Sequence, residues 1–281
     1  MALRTLVDAA TLAQHRGDPS WVVIDCRHTL ADFGAGRRMY DAGHIPGAFF
    51  ADVEHDLAGE HTGANGRHPL PDPEAFASFL RSCGVSGGTQ IVAYDAGADM
   101  FAARLWFLAR WIGHDAAAVL DGGVNAWQEA GYELTGAATL SLSVGDLRVR
   151  LHPELLVDAN YVVAHLDDDA ARVVDARGAD RFAGQNETID PVAGHIPGAR
   201  NRPFKENFNA DLRFRTGSEL QNRFQSLGPA QTVVHQCGSG VSAAANMLAM
   251  EIAGLRGSRL YAGSWSEWIS DPSRPVITGE G

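Results

Sequence analysis

The chain has 281 residues, long for one domain and comfortable for two of about 130 residues each. Its 34 acidic residues outnumber 23 Lys and Arg, and the net charge of −11 argues against a nucleic acid partner, whose phosphates it would repel. Hydrophobic residues make up 45 %, the level of an ordinary globular core, but the longest apolar runs, such as LWFLARWI, are broken by charge and too short to span a bilayer.

In chain order, MALRTLVDAATLAQH alternates apolar and polar residues and carries no signal-peptide apolar core. A short β-branched run ending in Asp follows (VVIDCR from Val22), then a Gly-His-Ile-Pro-Gly turn (AGHIPGAFF from Ala42). After an extra segment come a second apolar run (IVAYDAG from Ile91), a helix and a Gly-rich turn (DGGVNAW from Asp121). The same order then returns. LVDANYVVAH from Leu156 answers LVDAATLAQH from Leu6, and RVVDAR, AGHIPGARN, VVHQCGS and AGSWSEW follow from Arg172, Ala193, Val233 and Ala262. The offset falls from about 150 to about 141 because the first half carries the extra segment after His44. Strands alternating with helices predict, in each half, a parallel α/β sheet covered on both faces by helices. The expected domains are residues 1–136 and 151–281, joined by a polar linker over 137–150. Asp167–Asp169 reads as a solvated turn.

Three cysteines, Cys26, Cys83 and Cys237, are odd in number and have no paired-ligand spacing, which disfavours both a disulfide framework and a zinc site. The expectation is a reduced, cytoplasmic, soluble protein. Cys237 stands apart, because it ends a β-branched run and enters Gly238, Ser239, Gly240, Val241 and Ser242 before an alanine-rich helix. Glycines let successive N–H groups turn inward as a nest at a helix start, where the dipole favours an anion. Such a place should lower the thiol pKa and suits a thiolate, a persulfide or a departing oxyanion. In open α/β sheets, ligands gather at the C-terminal ends of strands, where this loop falls. Its counterpart in the first half is Asp95, so only the second half carries a nucleophile. A cysteine phosphatase would need Arg six residues after the cysteine, where Ala243 stands. No Gly-x-Ser-x-Gly elbow is present, and the GAG at Gly34–Gly36 lacks the preceding strand of a dinucleotide site.

The doubled Gly-His-Ile-Pro-Gly-Ala turns, the CGSGVSA loop and the closing GSWSEW resemble the two-domain sulfurtransferases, the rhodaneses and their 3-mercaptopyruvate relatives. The resemblance covers essentially the whole chain. It implies two tandem rhodanese-like domains, the first non-catalytic with Asp95 in place of Cys. It further implies that Cys237 takes a sulfane sulfur and passes it on as a persulfide. Thiosulfate-preferring members resemble Cys-Arg-Lys-Gly-Val-Thr, whose cations meet the sulfonate, whereas mercaptopyruvate-preferring members resemble Cys-Gly-Ser-Gly-Val-Thr. This chain reads Cys-Gly-Ser-Gly-Val-Ser, with Ser242 keeping the hydroxyl, which tilts the expectation toward mercaptopyruvate and leaves thiosulfate as the alternative. A non-catalytic sulfur-carrier docking module is the remoter alternative.

By the same resemblance, Arg181 is expected to grip the donor carboxylate, with a planar fork suited to it. Arg177 either joins it or braces the loop. A second family arginine is missing from GQNETIDPVAG, with Arg200 or Arg202 as candidate substitutes. A Ser–His–Asp relay is implied, with Ser239, His68 and either Asp56 or Glu60, Asp56 being favoured; His55 and His61 are rival histidines. His44 and His195 belong to the repeated turns and are read as structural. The substrate-binding set is thus Arg181, Arg177, Gly238, Gly240, Val241 and Ser242. No metal or organic cofactor is implied. Expected partners are a small-molecule sulfur donor, a thiol or cyanide acceptor and, as a further candidate, a thioredoxin-like reductant, with no nucleic acid and no membrane.

Overall fold

The structure is a computed structural model and describes residues 2–140, 143–166, 168 and 170–280. Ser141 and Leu142 of the expected linker, and Asp167 and Asp169 of the expected solvated turn, lie outside the described residues. The chain divides into two compact units: Met1–Gly59 with Pro71–His152 and Ala210–Phe214, and Glu60–Leu70 with Pro153–Asn209 and Arg215–Gly281. A segment from the first half of the sequence, Glu60–Leu70, therefore folds as part of the second unit.

The first unit runs β1 (Leu6–Val7), α1 (Ala9–Gln14), β2 (Trp21–Asp25), α2 (Ala35–Ala42), β3 (Phe49–Phe50), α3 (Pro73–Ser82), β4 (Gln90–Tyr94), α4 (Phe101–Trp111), β5 (Ala117–Leu120) and α5 (Gly123–Glu129). Its five-stranded sheet has the order β1-β5-β4-β2-β3, with every pairing parallel. The central strand β4 is buried at all five positions, as expected where helices cover both faces. Local chemistry sets the helix starts. The Asp8 carboxylate accepts the Thr11 N–H at the head of α1, and Asp72 accepts from Glu74 and Ala75 at the head of α3, where Pro73 has no N–H to satisfy.

The second unit repeats this order with β6 (Leu156–Val157), α6 (Ala159–Ala164), β7 (Arg172–Asp175), α7 (Ala179–Phe182), β8 (Arg200–Asn201), α8 (Gly217–Phe224), β9 (Val233–Gln236), α9 (Ser242–Ile252), β10 (Arg259–Tyr261) and α10 (Ser264–Trp268). Its sheet order is β6-β10-β9-β7-β8, again parallel throughout. The two sheets realise the parallel α/β architecture that the sequence repeat predicts.

The repeated turns do the same work in both units. His44 donates from Nδ1 to the Tyr40 carbonyl at 2.8 Å and stacks on the Tyr40 ring; His195 donates to the Phe182 carbonyl at 2.8 Å and stacks on the Phe182 ring. Each sits in a short antiparallel bridge, to Thr135 and to Ile277 respectively. These contacts are structural, which explains why both halves keep the histidine. Arg27 and Arg177 likewise fork onto Asp25 and Asp175 and then reach the Gly43 and Gly194 carbonyls. No helix among the described residues is long and apolar enough to cross a membrane.

Candidate active site

In the second unit β9 carries Cys237 to the end of the central strand, and α9 begins five residues later without a side-chain cap. Uncapped N–H groups at such a start are available to an anion. The Cys237 sulfur accepts the Gly240 N–H at 3.1 Å, so the loop closes on its own thiol group. Gly240 has φ +79°, and a Cβ there would lie 2.3 Å from the Ala262 carbonyl; only glycine fits the curl. The first residues of α10 support the loop. Ser264 Oγ accepts the Cys237 N–H at 3.1 Å, while the Trp265 and Ser266 N–H groups donate to the Cys237 and Gly238 carbonyls at 3.0 and 2.9 Å.

The segment Glu60–Leu70 lies against this loop within the same unit. The Arg67 N–H donates to Ser266 Oγ at 3.0 Å, and His68 Nδ1 and Ser239 Oγ are hydrogen-bonded at 2.7 Å, both residues being buried. The structure thus brings together Cys237, Ser239 and His68 of the expected set. Asp56 belongs to the first unit, where its carboxylate accepts the Asp52 N–H at 2.7 Å and burial raises its pKa. Glu60 belongs to the second unit, and its carbonyl accepts from the Asn65 side chain at 2.9 Å.

Three arginines and three acids flank the loop. Arg177 is buried, forks onto Asp175, lies 3.4 Å from Glu187 and stacks over Trp265 at 4.7 Å. With its donors so engaged, the geometry favours bracing, one of the two roles that the sequence leaves open, and Arg27 makes the same contacts in the first unit. Arg181 donates to Glu187 from Nε and Nη2 at 2.9–3.1 Å and to Asp190 from Nη2 at 3.0 Å. Arg67 donates from Nη1 to the other oxygen of Asp190. Asp190 and Glu187 are almost fully buried, whereas the side chains of Arg67 and Arg181 keep 30 % and 20 % exposure.

Both half-buried guanidiniums lie over Gly238. A Cβ there would stand 2.8 Å from Arg67 Nη2 and 3.7–3.8 Å from the two terminal nitrogens of Arg181. Burial lowers the Arg67 pKa, and the charge of Cys237 works in the opposite direction. Arg202, a candidate second cation, instead turns to the Asn201 carbonyl and Ser226. Arg200 lies on β8. Sequence reasoning missed Arg67, although it adjoins His68; it also missed Asp190 and Ser264. Val241 and Ser242 lead into α9 and are buried with the loop.

The first unit shows the contrast. Its equivalent loop carries the Asp95 carboxylate, which accepts the Gly97 and Ala102 N–H groups at 2.9 and 3.0 Å. A side-chain carboxylate thus fills the nest from within. Burial pushes its pKa up, against the pull of those two donors. Cys26 and Cys83 are buried, and burial raises both thiols, Cys83 to about 12.

A parallel α/β unit that presents a cysteine on an N–H-lined loop before a helix, with cations above it, makes a candidate site for thiol-dependent group transfer. The comparisons narrow the class. The model of the rhodanese-like domain matches residues 8–130 and 158–271. A probable 3-mercaptopyruvate sulfurtransferase from Pseudomonas aeruginosa is 45 % identical over 285 residues, covering 100 % of both chains. A putative thiosulfate sulfurtransferase from Mycobacterium tuberculosis is 36 % identical over 98 % of each. Among solved structures, the 3-mercaptopyruvate sulfotransferase SseA of Escherichia coli superposes with a TM-score of 0.80 at 33 % identity, covering 92 % of this chain and 98 % of that one. The chain belongs to the two-domain rhodanese and 3-mercaptopyruvate sulfurtransferase family, and it is a sulfurtransferase.

Proposed function

We propose that the protein moves sulfur from 3-mercaptopyruvate to a thiol or cyanide through a persulfide on Cys237. The observation that carries this reading is the second-unit loop, where the Cys237 sulfur receives the Gly240 N–H beside a hydrogen-bonded Ser239–His68 pair. The Cys237 thiolate attacks the donor thiol sulfur. The carbon–sulfur bond breaks with its electron pair moving onto carbon as the pyruvate enolate. Ser239 and His68 carry the donor thiol proton to that carbon, with Asp56 as the proposed acid of the relay and Glu60 its rival. The outer sulfur remains on Cys237 as a persulfide anion, a charge that loop N–H donors stabilise. Arg181 holds the donor carboxylate. A thiol, cyanide or a thioredoxin-like dithiol then removes the outer sulfur, giving two-step kinetics. We place this chemistry in the reducing cytoplasm, where unpaired thiols persist.

Intact-mass measurement after brief exposure to mercaptopyruvate without acceptor tests the reading. The expected result is a gain of one sulfur atom localised to Cys237 and absent from Cys237→Ser. A protein that gains no sulfur, or a Cys237→Ser variant that still turns over, overturns it.

A further inference from the structure

We infer that the second unit carries a further binding site, separate from the sulfur loop, that takes an α-amino acid with an apolar side chain. The site is a cavity of about 590 Å³ at the C-terminal ends of β6 and β10, where ligands gather in parallel α/β sheets. All of its walls belong to that unit, including Leu70 of the Glu60–Leu70 segment. Two buried donors in these walls are unused. The Tyr261 hydroxyl and the Arg259 Nε–H find no hydrogen-bond partner among the described residues, and Tyr261 is fully buried. Buried polar groups are normally paired, so these two call for an acceptor.

The fold itself does not demand these groups. At the equivalent positions of the first unit, Ala118 stands for Arg259, Leu120 for Tyr261, Thr11 for Tyr161 and Ala126 for Glu267. Both units build the same sheet, so the polar set is an addition to the second. It carries both signs of charge. The Glu267 carboxylate folds back over Gly263, where any Cβ would collide with it, and faces Tyr261 without closing a hydrogen bond. Burial raises its pKa and the charge of Asp158, at the same cavity, adds to the rise, against the pull of the Tyr261 hydroxyl and Arg274. An ammonium group between Glu267 and Asp158 answers both carboxylates. Arg259 lies over the Tyr161 ring at 4.6 Å and donates from Nη2 to the Tyr161 hydroxyl at 2.8 Å. So held, it offers its Nε–H, with the Tyr261 O–H, to a carboxylate. Val157 and Leu70 add apolar wall for a side chain.

Calorimetric titration of the intact protein with leucine and phenylalanine tests the site. Each is compared with its amine (3-methylbutylamine, 2-phenylethylamine) and its acid (4-methylpentanoate, 3-phenylpropanoate). At least one amino acid is expected to bind, and its amine and acid to bind about tenfold or more weakly, the scale of a lost charge-assisted contact. Glu267→Gln is expected to weaken the amino acid by the same factor. Should that variant fold poorly, Tyr261→Phe carries the test, because it removes only the buried hydroxyl and is expected to weaken binding about threefold or more. Cys237→Ser is expected to bind the amino acid unchanged, since Cys237 is not part of the cavity wall. No binding of either amino acid, equal binding of the amine or the acid, binding that ignores both variants, or binding lost with Cys237→Ser overturns the proposal. Sulfur loading plays no part in these titrations, so the site stands or falls apart from the sulfur-transfer reading.

Discussion

Two residues before Cys237, His235 is fully buried on β9, with Nε2 3.2 Å from the Met250 sulfur. Burial lowers its pKa from 6.5 to about 3, so the folded protein holds it neutral where an unfolded chain would protonate it. The unfolded state therefore binds more protons as pH drops below 6.5, and the stability due to this group is lost progressively down to about pH 3. Replacing it with leucine removes that term. Between pH 7.5 and pH 5, His235→Leu is expected to lose about 2 kcal/mol less stability than the unaltered protein in urea titrations. Identical slopes would mean that His235 is protonated in the folded state.

The decisive element is the turn from β9 into α9. Gly240 combines a left-handed φ of +79° with a carbonyl 2.3 Å from where a Cβ would stand, and its N–H holds the Cys237 sulfur. Gly240→Ala is expected to cost at least about 1–2 kcal/mol of stability, the penalty of that backbone region alone. It should also slow sulfur loading by about tenfold or more through the displaced donor. Thermal melts together with the loading rate check this, and an alanine variant that loads normally would show the loop to be more pliable than its contacts imply. At this scale the sequence was informative, because glycine spacing, a strand-end cysteine and an alanine-rich helix are local signals. The support from Ser264 was not legible. Ser264 takes φ +54°, a conformation that serine seldom adopts and that only the surrounding turn enforces.

Across the molecule, the two units repeat strand order, turns and buried Asp–Arg pairs, yet the loop after the central strand carries Asp95 in one and Cys237 in the other. The repeat made the fold readable, because matched runs in the same order leave few topologies. It also exposes what else the first unit lacks: Ala96 and Gly97 stand where the second has Gly238 and Ser239, and Ala31 where it has Arg181. Restoring a thiol alone should therefore fail. A chain carrying both Asp95→Cys and Cys237→Ser is expected to gain no sulfur from either donor by intact mass; loading at position 95 would show that the loop fold suffices without cation or hydroxyl. The same repeat hid Arg67. Its partner Asp190 is 123 residues away, and no offset between the halves predicts that contact, since it depends on Glu60–Leu70 folding into the second unit.

That excursion also bears on how such a chain evolves. Two copies joined by duplication can be parted again by a break in the linker while each half keeps what its chemistry requires. Here the unit with the cysteine draws Arg67 and His68 from the far side of the linker, so a chain parted there would separate both residues from the Cys237 loop they pack against.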